Sequence, residues 1–261
     1  MRAVTDRTVV LHVSYDGAGF SGFARQPGLR TVQGELEHAL GVVLRQPVEV
    51  VGAGRTDAGV HALGQVVSFP ATDAEPPLES LVRSLNALTG EDLVVASASF
   101  AEPGFSARRS ALAREYRYFL VPGPVPPLFT RKTAWWIKRP LDLDAMRRAA
   151  EHLIGEHDFA AFCASESVDK GSTRRRVDLV EIISGREMGE HVVVVRVIGN
   201  AFLHSMVRII VGSLVEVGLG RKDASWLGEA VQSREREAAG PTAPAHGLTL
   251  WHVEYPEECW L

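Results

Sequence analysis

No run in the chain reaches the ~18 uncharged apolar residues that a membrane-spanning helix needs, and Met1-Arg2-Ala3-Val4-Thr5-Asp6-Arg7 leads into no signal-peptide core. The expectation is a soluble, cytoplasmic protein. Cysteine is scarce: Cys163 and Cys259 are the only two and no Cys-x-x-Cys occurs, which excludes a disulfide framework and a cysteine zinc site. Charge of one sign is lacking as well. The 28 Lys and Arg against 32 Asp and Glu leave −4, so the chain as a whole advertises no polyanionic partner and any nucleic-acid surface must be local. With 24 Gly and 14 Pro in 261 residues, collagen and low-complexity disorder are excluded.

What is present is an ordinary globular balance, 46% hydrophobic and 23% charged, long enough for one large or two usual domains. Val9, Leu11, Val13 and Tyr15 alternate as a strand does. Thr31 caps a helix with Val32, Leu36, Ala39, Leu40 and Val43 on one face, and residues 48–52 are short and β-rich. After a glycine-rich interruption, Leu63, Gln65, Val67 and Phe69 resume a strand, and Leu78, Leu81, Val82 and Leu85 mark a second helix behind Pro76-Pro77. Residues 93–100 close a β-α-β-β-α-β series, the order of a ferredoxin-like unit. Pro103-Gly104 sets the expected domain boundary, 1–103 against 104–261.

The second half repeats the element order without evident residue identity. Strands are expected over 115–121 and 133–138, a helix from Asp142 with Leu143, Met146, Ala150 and Leu153 as its stripe, and a hairpin over 176–183 and 191–198. An apolar helix over 202–217 and a strand over 248–255 complete it. Residues 164–172 and 234–245, rich in turn formers and charge, read as exposed, mobile connections. The expected class is α+β: two ferredoxin-like halves with antiparallel sheets and helices on the outer face.

The chemistry concentrates in Gly52-Ala53-Gly54-Arg55-Thr56-Asp57-Ala58-Gly59-Val60-His61-Ala62, where small residues let a backbone come close to a ligand. No Lys-Ser or Lys-Thr closes it as a phosphate loop, and it is no dinucleotide fingerprint. One acid beside one base remains. Arg55, two residues from Asp57, can hold that carboxylate ionised, and an ionised carboxylate in a tight loop is a usable nucleophile. A structural Arg-Asp pair in a glycine-rich turn is the competing reading. Glycosidic hydrolysis would need a second acid, for which Asp16 and Glu35 are the nearest candidates. Asp57 and His61 have metal-ligand spacing, but Gly54 and Gly59 argue against the helix that would align them; His61 reads better as a loop or core histidine.

The run 54–62 resembles the signature of the tRNA pseudouridine synthase A family. Tyr15-Asp16-Gly17 with Phe20, Gly22 and Gln26, then Thr31-Val32-Gln33 and Leu36-Glu37, resemble its opening block. Asn86-Ala87, Phe105-Ser106-Ala107-Arg108 and Tyr116-Arg117-Tyr118 resemble its middle blocks. His157-Asp158-Phe159, Phe202-Leu203-His204 with Met206-Val207-Arg208, and Ala243-Pro244-Ala245 resemble its closing ones. The resemblance implies two ferredoxin-like halves with a catalytic cleft between them. It further implies isomerisation of uridine to pseudouridine at positions 38, 39 and 40 of the tRNA anticodon stem-loop, by a homodimer without cofactor or metal.

By the same resemblance Asp57 is the nucleophile and Tyr116 the active-site tyrosine, on which a flipped base can stack. Arg208 lies on an apolar helix, where a buried cation needs a carboxylate, expected to be Asp57; Arg55 completes the catalytic set. Gly54, Thr56, His61, Arg25 and Gln26 are expected at the RNA, with Arg108, Arg109 and Arg174 as phosphate contacts drawn from two arginine clusters. One departure stands out: Phe23-Ala24-Arg25-Gln26 has Ala and Arg where the family commonly writes Trp or Phe followed by Gln, which bears on RNA contacts. A non-catalytic RNA-binding module and a nucleoside hydrolase are the alternative classes.

Overall fold

In the computed structural model, which describes residues 7–72, 75–164 and 171–261, the chain divides into two compact units, Met1–Ala113 with Leu250–Leu261 and Arg114–Thr249. The first unit is built on β1 (Thr8–Tyr15), α1 (Val32–Leu44), β2 (Val51–Gly52), β3 (His61–Pro70), α2 (Leu78–Leu88) and β4 (Leu93–Ala101). Its strands are antiparallel in the order β4-β1-β3-β2, which is the ferredoxin-like arrangement its element order predicts. Thr31 caps α1 by accepting from Gly34 N (3.3 Å), and Val32, Leu36, Ala39 and Leu40 are buried along one stripe. Asn86 ties α2 to β4 with two bonds, Nδ2 to Val95 O (2.9 Å) and Val95 N to Oδ1 (2.8 Å).

Strand β2 is shorter than expected. Side chains of α1 take the backbone of Val50 out of the ladder: its N–H donates to the Glu37 carboxylate (3.1 Å) and its carbonyl accepts from Gln33 Nε2 (3.1 Å). The boundary also differs from the one expected after Pro103. Residues 105–113 stay with the first unit because Ala107 N donates to Ser68 Oγ (2.9 Å) and Leu112 N to Glu254 O (2.8 Å). The rings of Phe105, Tyr255 and Trp260 then cluster with centroids 5.1 to 5.8 Å apart. The C-terminal segment is thereby part of the first unit's core.

The second unit carries β5 (Ala113–Pro122), β6 (Trp135–Ile137), α3 (Leu143–Ala150), β7 (Gly155–Asp158), β8 (Arg174–Glu187), β9 (Glu190–Gly199), α4 (Met206–Gly218) and α5 (Trp226–Ser233); β10 (Leu248–Glu254) is cut by the unit boundary. The antiparallel order β5-β9-β8-β7, with β6 added parallel to β5, contains the first, third and second strands of the same fold. Asp142 caps α3 by accepting from Ala145 N (2.9 Å). Helix α4 begins at Met206 and not at Phe202, because Ser205 takes a left-handed backbone (φ 59°) just before it. Helix α5 was not expected from the sequence.

Residues 234–245 are not the exposed connection the composition suggests. Ala243 is buried, Gly240 N donates to Ser213 Oγ (2.8 Å), and a Cβ on Gly212 would collide with the Pro241 carbonyl. The segment packs backbone to backbone on α4. Most of the other expected connection, residues 165–170, lies outside the described residues. Among the described residues no helix is long and apolar enough to cross a membrane.

Candidate active site

The loop between β2 and β3 is held at Ala53, Gly54, Thr56 and Val60. Ala53 N donates to Val66 O (2.8 Å), and Gly54 O accepts from Gln65 Nε2 (2.9 Å). Thr56 is fixed at both ends, its carbonyl by Phe23 N (3.0 Å) and its buried hydroxyl by Tyr15 Oη (2.8 Å). Val60 N then closes a turn on Asp57 O (3.1 Å), with Gly59 at φ +79° in its third position, where only glycine turns without strain. The Asp57 side chain is half-exposed at the head of this turn.

The residues leaving β1 form the bed of that loop. Gly17 is buried against Val60, and Gly22 lies where a Cβ would sit 2.9 Å from Thr56 O and 3.3 Å from Ala58 N. Tyr15-Asp16-Gly17 and Gly22, read above as an opening block, are therefore the floor under Asp57. His61 opens β3 and is buried, with Nδ1 3.2 Å from Gly17 N and 3.1 Å from Asp16 Oδ1. One nitrogen cannot accept from the first and donate to the second, so a bare Nδ1 serves Gly17 and a protonated Nδ1 serves Asp16. Either way the ring faces the 16–17 turn.

Arg55 departs from expectation. It is exposed and makes no hydrogen bond or ion pair among the described residues, so it does not pair with Asp57. Arg25 also has acid partners instead of an open fork: Nη1 lies 3.1 Å from Glu37 Oε2 and Nη2 3.8 Å from Glu49 Oε1. Gln26 Nε2 donates to Ser21 O (2.9 Å). Arg108 and Arg109 are exposed. Of the run 174–176, Arg174 pairs with Glu156 (3.0 Å) and Arg176 with Asp178 (2.7 Å). Arg175 turns inward, donating to Ser172 O (2.8 Å) and Arg174 O (2.6 Å), and burial lowers its pKa.

In the second unit Tyr116 is buried on β5 with its ring edge-on to Phe202, centroids 5.3 Å apart at 89°. Tyr118, two residues on and on the same strand face, is fully buried and donates to Pro244 O (2.7 Å); burial pushes its pKa up. Arg208 stands in the first turn of α4, half-buried where full burial was expected, and its Nε donates to Ala243 O (2.8 Å). The Phe202–Arg208 and Ala243–Pro244 blocks thus meet within this unit. Among the described residues no three His, Cys, Asp or Glu side chains converge as a metal site requires.

Sequence reasoning missed Tyr15, Gln65, Phe202 and Ala243 as site residues. Tyr15 was readable as a strand position and as part of the opening block, and Gln65 as a strand position alone, although a glutamine on the apolar face of β3 was a signal. Tyr15 carries a pH consequence. Burial raises its pKa, hydrogen bonds with Thr56 and Gln65 pull it partly back, and it settles up at about 12 from an ordinary 10. A raised folded value means stability that is complete below about pH 10 and lost as pH climbs toward about 12, worth about 3 kcal/mol. Tyr15→Phe is expected to flatten the pH 10–12 decline in unfolding free energy measured by urea titration.

The sequence profile of a family described as tRNA pseudouridine synthase matches residues 11–103 and 149–256. The chain is 44% identical over 247 residues to the tRNA pseudouridine synthase A of Bacillus subtilis, covering 93% of this chain and 97% of that protein. It is 45% identical over 246 residues to the one from Shouchella clausii, covering 93% and 91%. It is 46% identical over 250 residues to the one from Burkholderia lata, covering 96% and 90%.

Proposed function

The chain belongs to the tRNA pseudouridine synthase family, and from that premise we propose that it isomerises uridine at positions 38, 39 and 40 of the anticodon stem-loop, with Asp57 as nucleophile. It is an isomerase acting on tRNA uridine. The reaction breaks the N1–C1′ bond of one nucleotide, turns the uracil, and forms C5–C1′, releasing the C5 hydrogen to solvent as a proton while N1 takes one up. No water is consumed and no electron moves, so the chemistry asks for a charged carboxylate and a held base, and needs no cofactor. The observation that carries the reading is the loop itself: a half-exposed carboxylate on a turn whose backbone is bonded at Ala53, Gly54, Thr56 and Val60. A backbone so held reduces the reorganisation that the nucleophile needs before attack.

A uridine within a stem must be extruded, at a cost of a few kcal/mol; stacking on Tyr116 offsets ~1 to 3 kcal/mol of it. Arg208 supplies positive charge to the reacting groups. Arg55, Gly54, Arg25 and Gln26 lie on or beside the loop and are assigned to the RNA, with Arg108, Arg109 and Arg174 on phosphates; Thr56 and His61, both buried, are assigned to holding the loop beneath it. The working form is a cytoplasmic homodimer. Incubation with stem-loop tRNA tritiated at uracil C5 tests the assignment: release is expected, and replacing uridine by cytidine at 38, 39 or 40 should remove the share from that position. Release that persists when all three are replaced would move the site elsewhere on the tRNA.

A further inference from the structure

We propose that Gln65 is a positioning residue for this reaction: its buried amide holds the Gly54–Thr56 backbone that presents Asp57 and sets the direction of the Tyr15–Thr56 hydrogen bond. The inference rests on the reading of Asp57 as the nucleophile. Gln65 is fully buried on β3, so it touches no tRNA and acts only through its neighbours. Its Nε2 lies 2.9 Å from Gly54 O and 3.3 Å from Tyr15 Oη. A backbone carbonyl only accepts, so the atom facing Gly54 must be the amide nitrogen and the orientation of the side chain is determined.

The direction of the chain follows from that. Because the amide nitrogen only donates, Tyr15 Oη accepts from Gln65, and on this assignment it points its own proton at Thr56 Oγ1, the second oxygen in reach at 2.8 Å. Thr56 Oγ1 is then an acceptor toward Tyr15, and its hydroxyl proton is directed away from Tyr15. The residue immediately before Asp57 is thus fixed through its carbonyl by Phe23 and through its hydroxyl by a chain that starts at Gln65.

Gln65 is a poor choice for packing. Its Oε1 is buried and has no hydrogen-bond partner among the described residues, a cost that a methionine of similar volume would avoid. The fold bears that cost at the one place where an amide nitrogen reaches both the loop backbone and the tyrosine. Removing the donor leaves the core filled and the loop less well held, and small displacements of a reacting group are expensive in rate.

The test uses the full chain, with single-turnover tritium release per folded molecule and tRNA affinity by fluorescence anisotropy. Gln65→Met is expected to lower the rate about 10- to 100-fold while the dissociation constant for tRNA changes less than about twofold. Gln65→Glu adds a signature that a packing role would not give. Its buried carboxyl can donate only when protonated, so its rate should recover as pH falls, and that of Gln65→Met should not. Tyr15→Phe removes one hydroxyl and keeps the inference testable if Gln65→Met does not fold. Its rate should fall too, and combining the two should cost no more than the worse single change. Rates within about twofold of native for both single variants, or no pH recovery in Gln65→Glu, would overturn the inference. Tritium release that survives Asp57→Ala would instead remove the reading beneath it.

Discussion

Asp57→Ala is expected to reduce single-turnover tritium release from C5-labelled tRNA by at least about a thousandfold, with tRNA affinity little changed. The turn at this residue is made by main-chain atoms, Val60 N on Asp57 O, and alanine keeps them. The side chain is half-exposed, so its loss opens no cavity. Asp57→Asn separates charge from shape. An amide of the same size cannot act as a nucleophilic carboxylate, so the asparagine variant should be as inactive as the alanine one. Retention of a tenth of native activity by asparagine would reduce the carboxylate to a hydrogen-bonding role.

Gly17→Ala is expected to damage the fold as well as the site. A Cβ there would sit 2.5 Å from the Val60 carbonyl carbon and 3.0 Å from Val60 N, and backbone atoms cannot swing aside as the end of a side chain can. Val60 is itself buried and closes the Asp57 turn, so either that turn or the exit of β1 must move. Overpacking of this kind costs about 3 kcal/mol, which lowers the unfolding midpoint of a chain this size by roughly 6–12 °C. Release of tritium by the fraction still folded should fall about a hundredfold, because the nucleophile is displaced. Gly41→Ala is the control. It lies within α1, where a Cβ meets only Gln46 O at 3.7 Å, and helix propensity should make it stabilising by up to about 1 kcal/mol. A Gly17→Ala protein that melts like the native chain would mean the close approach is softer than the geometry implies.

The alternation of apolar residues was enough to order β1, β3 and β4 and to place α1, α2 and α3, because each buries one regular face. What escaped were the elements whose anchors carry no hydropathy signal. Residues 234–245 are held down by Gly240 and Ala243 on the glycine side of α4, and small residues packed on small residues look like a linker in sequence. Strand β2 starts late because two polar side chains of α1 bond the residue before it, Val50. The glycine loop was legible as a site, since only close backbone approach explains so many small residues. Its internal pairing was not. Arg55 and Asp57 flank Thr56, and once the tyrosine draws that hydroxyl inward the two charged neighbours go their own ways. Gln65 was legible on the apolar face of β3 with Leu63, Val67 and Phe69, but its partners, Gly54 and Tyr15, were not.

The composition of the first unit from residues 1–113 and 250–261 sets an order of events during synthesis. The ribosome makes all of residues 114–249 before it can supply the strand and rings that complete the half bearing Asp57. At about 5–20 residues per second this is a delay of roughly 7–30 s, during which the edge that will receive Trp260 and Tyr255 stays bare. The later-starting half is therefore the first that can finish, and the nascent chain has an extended interval in which a chaperone would find its target on the amino-terminal side.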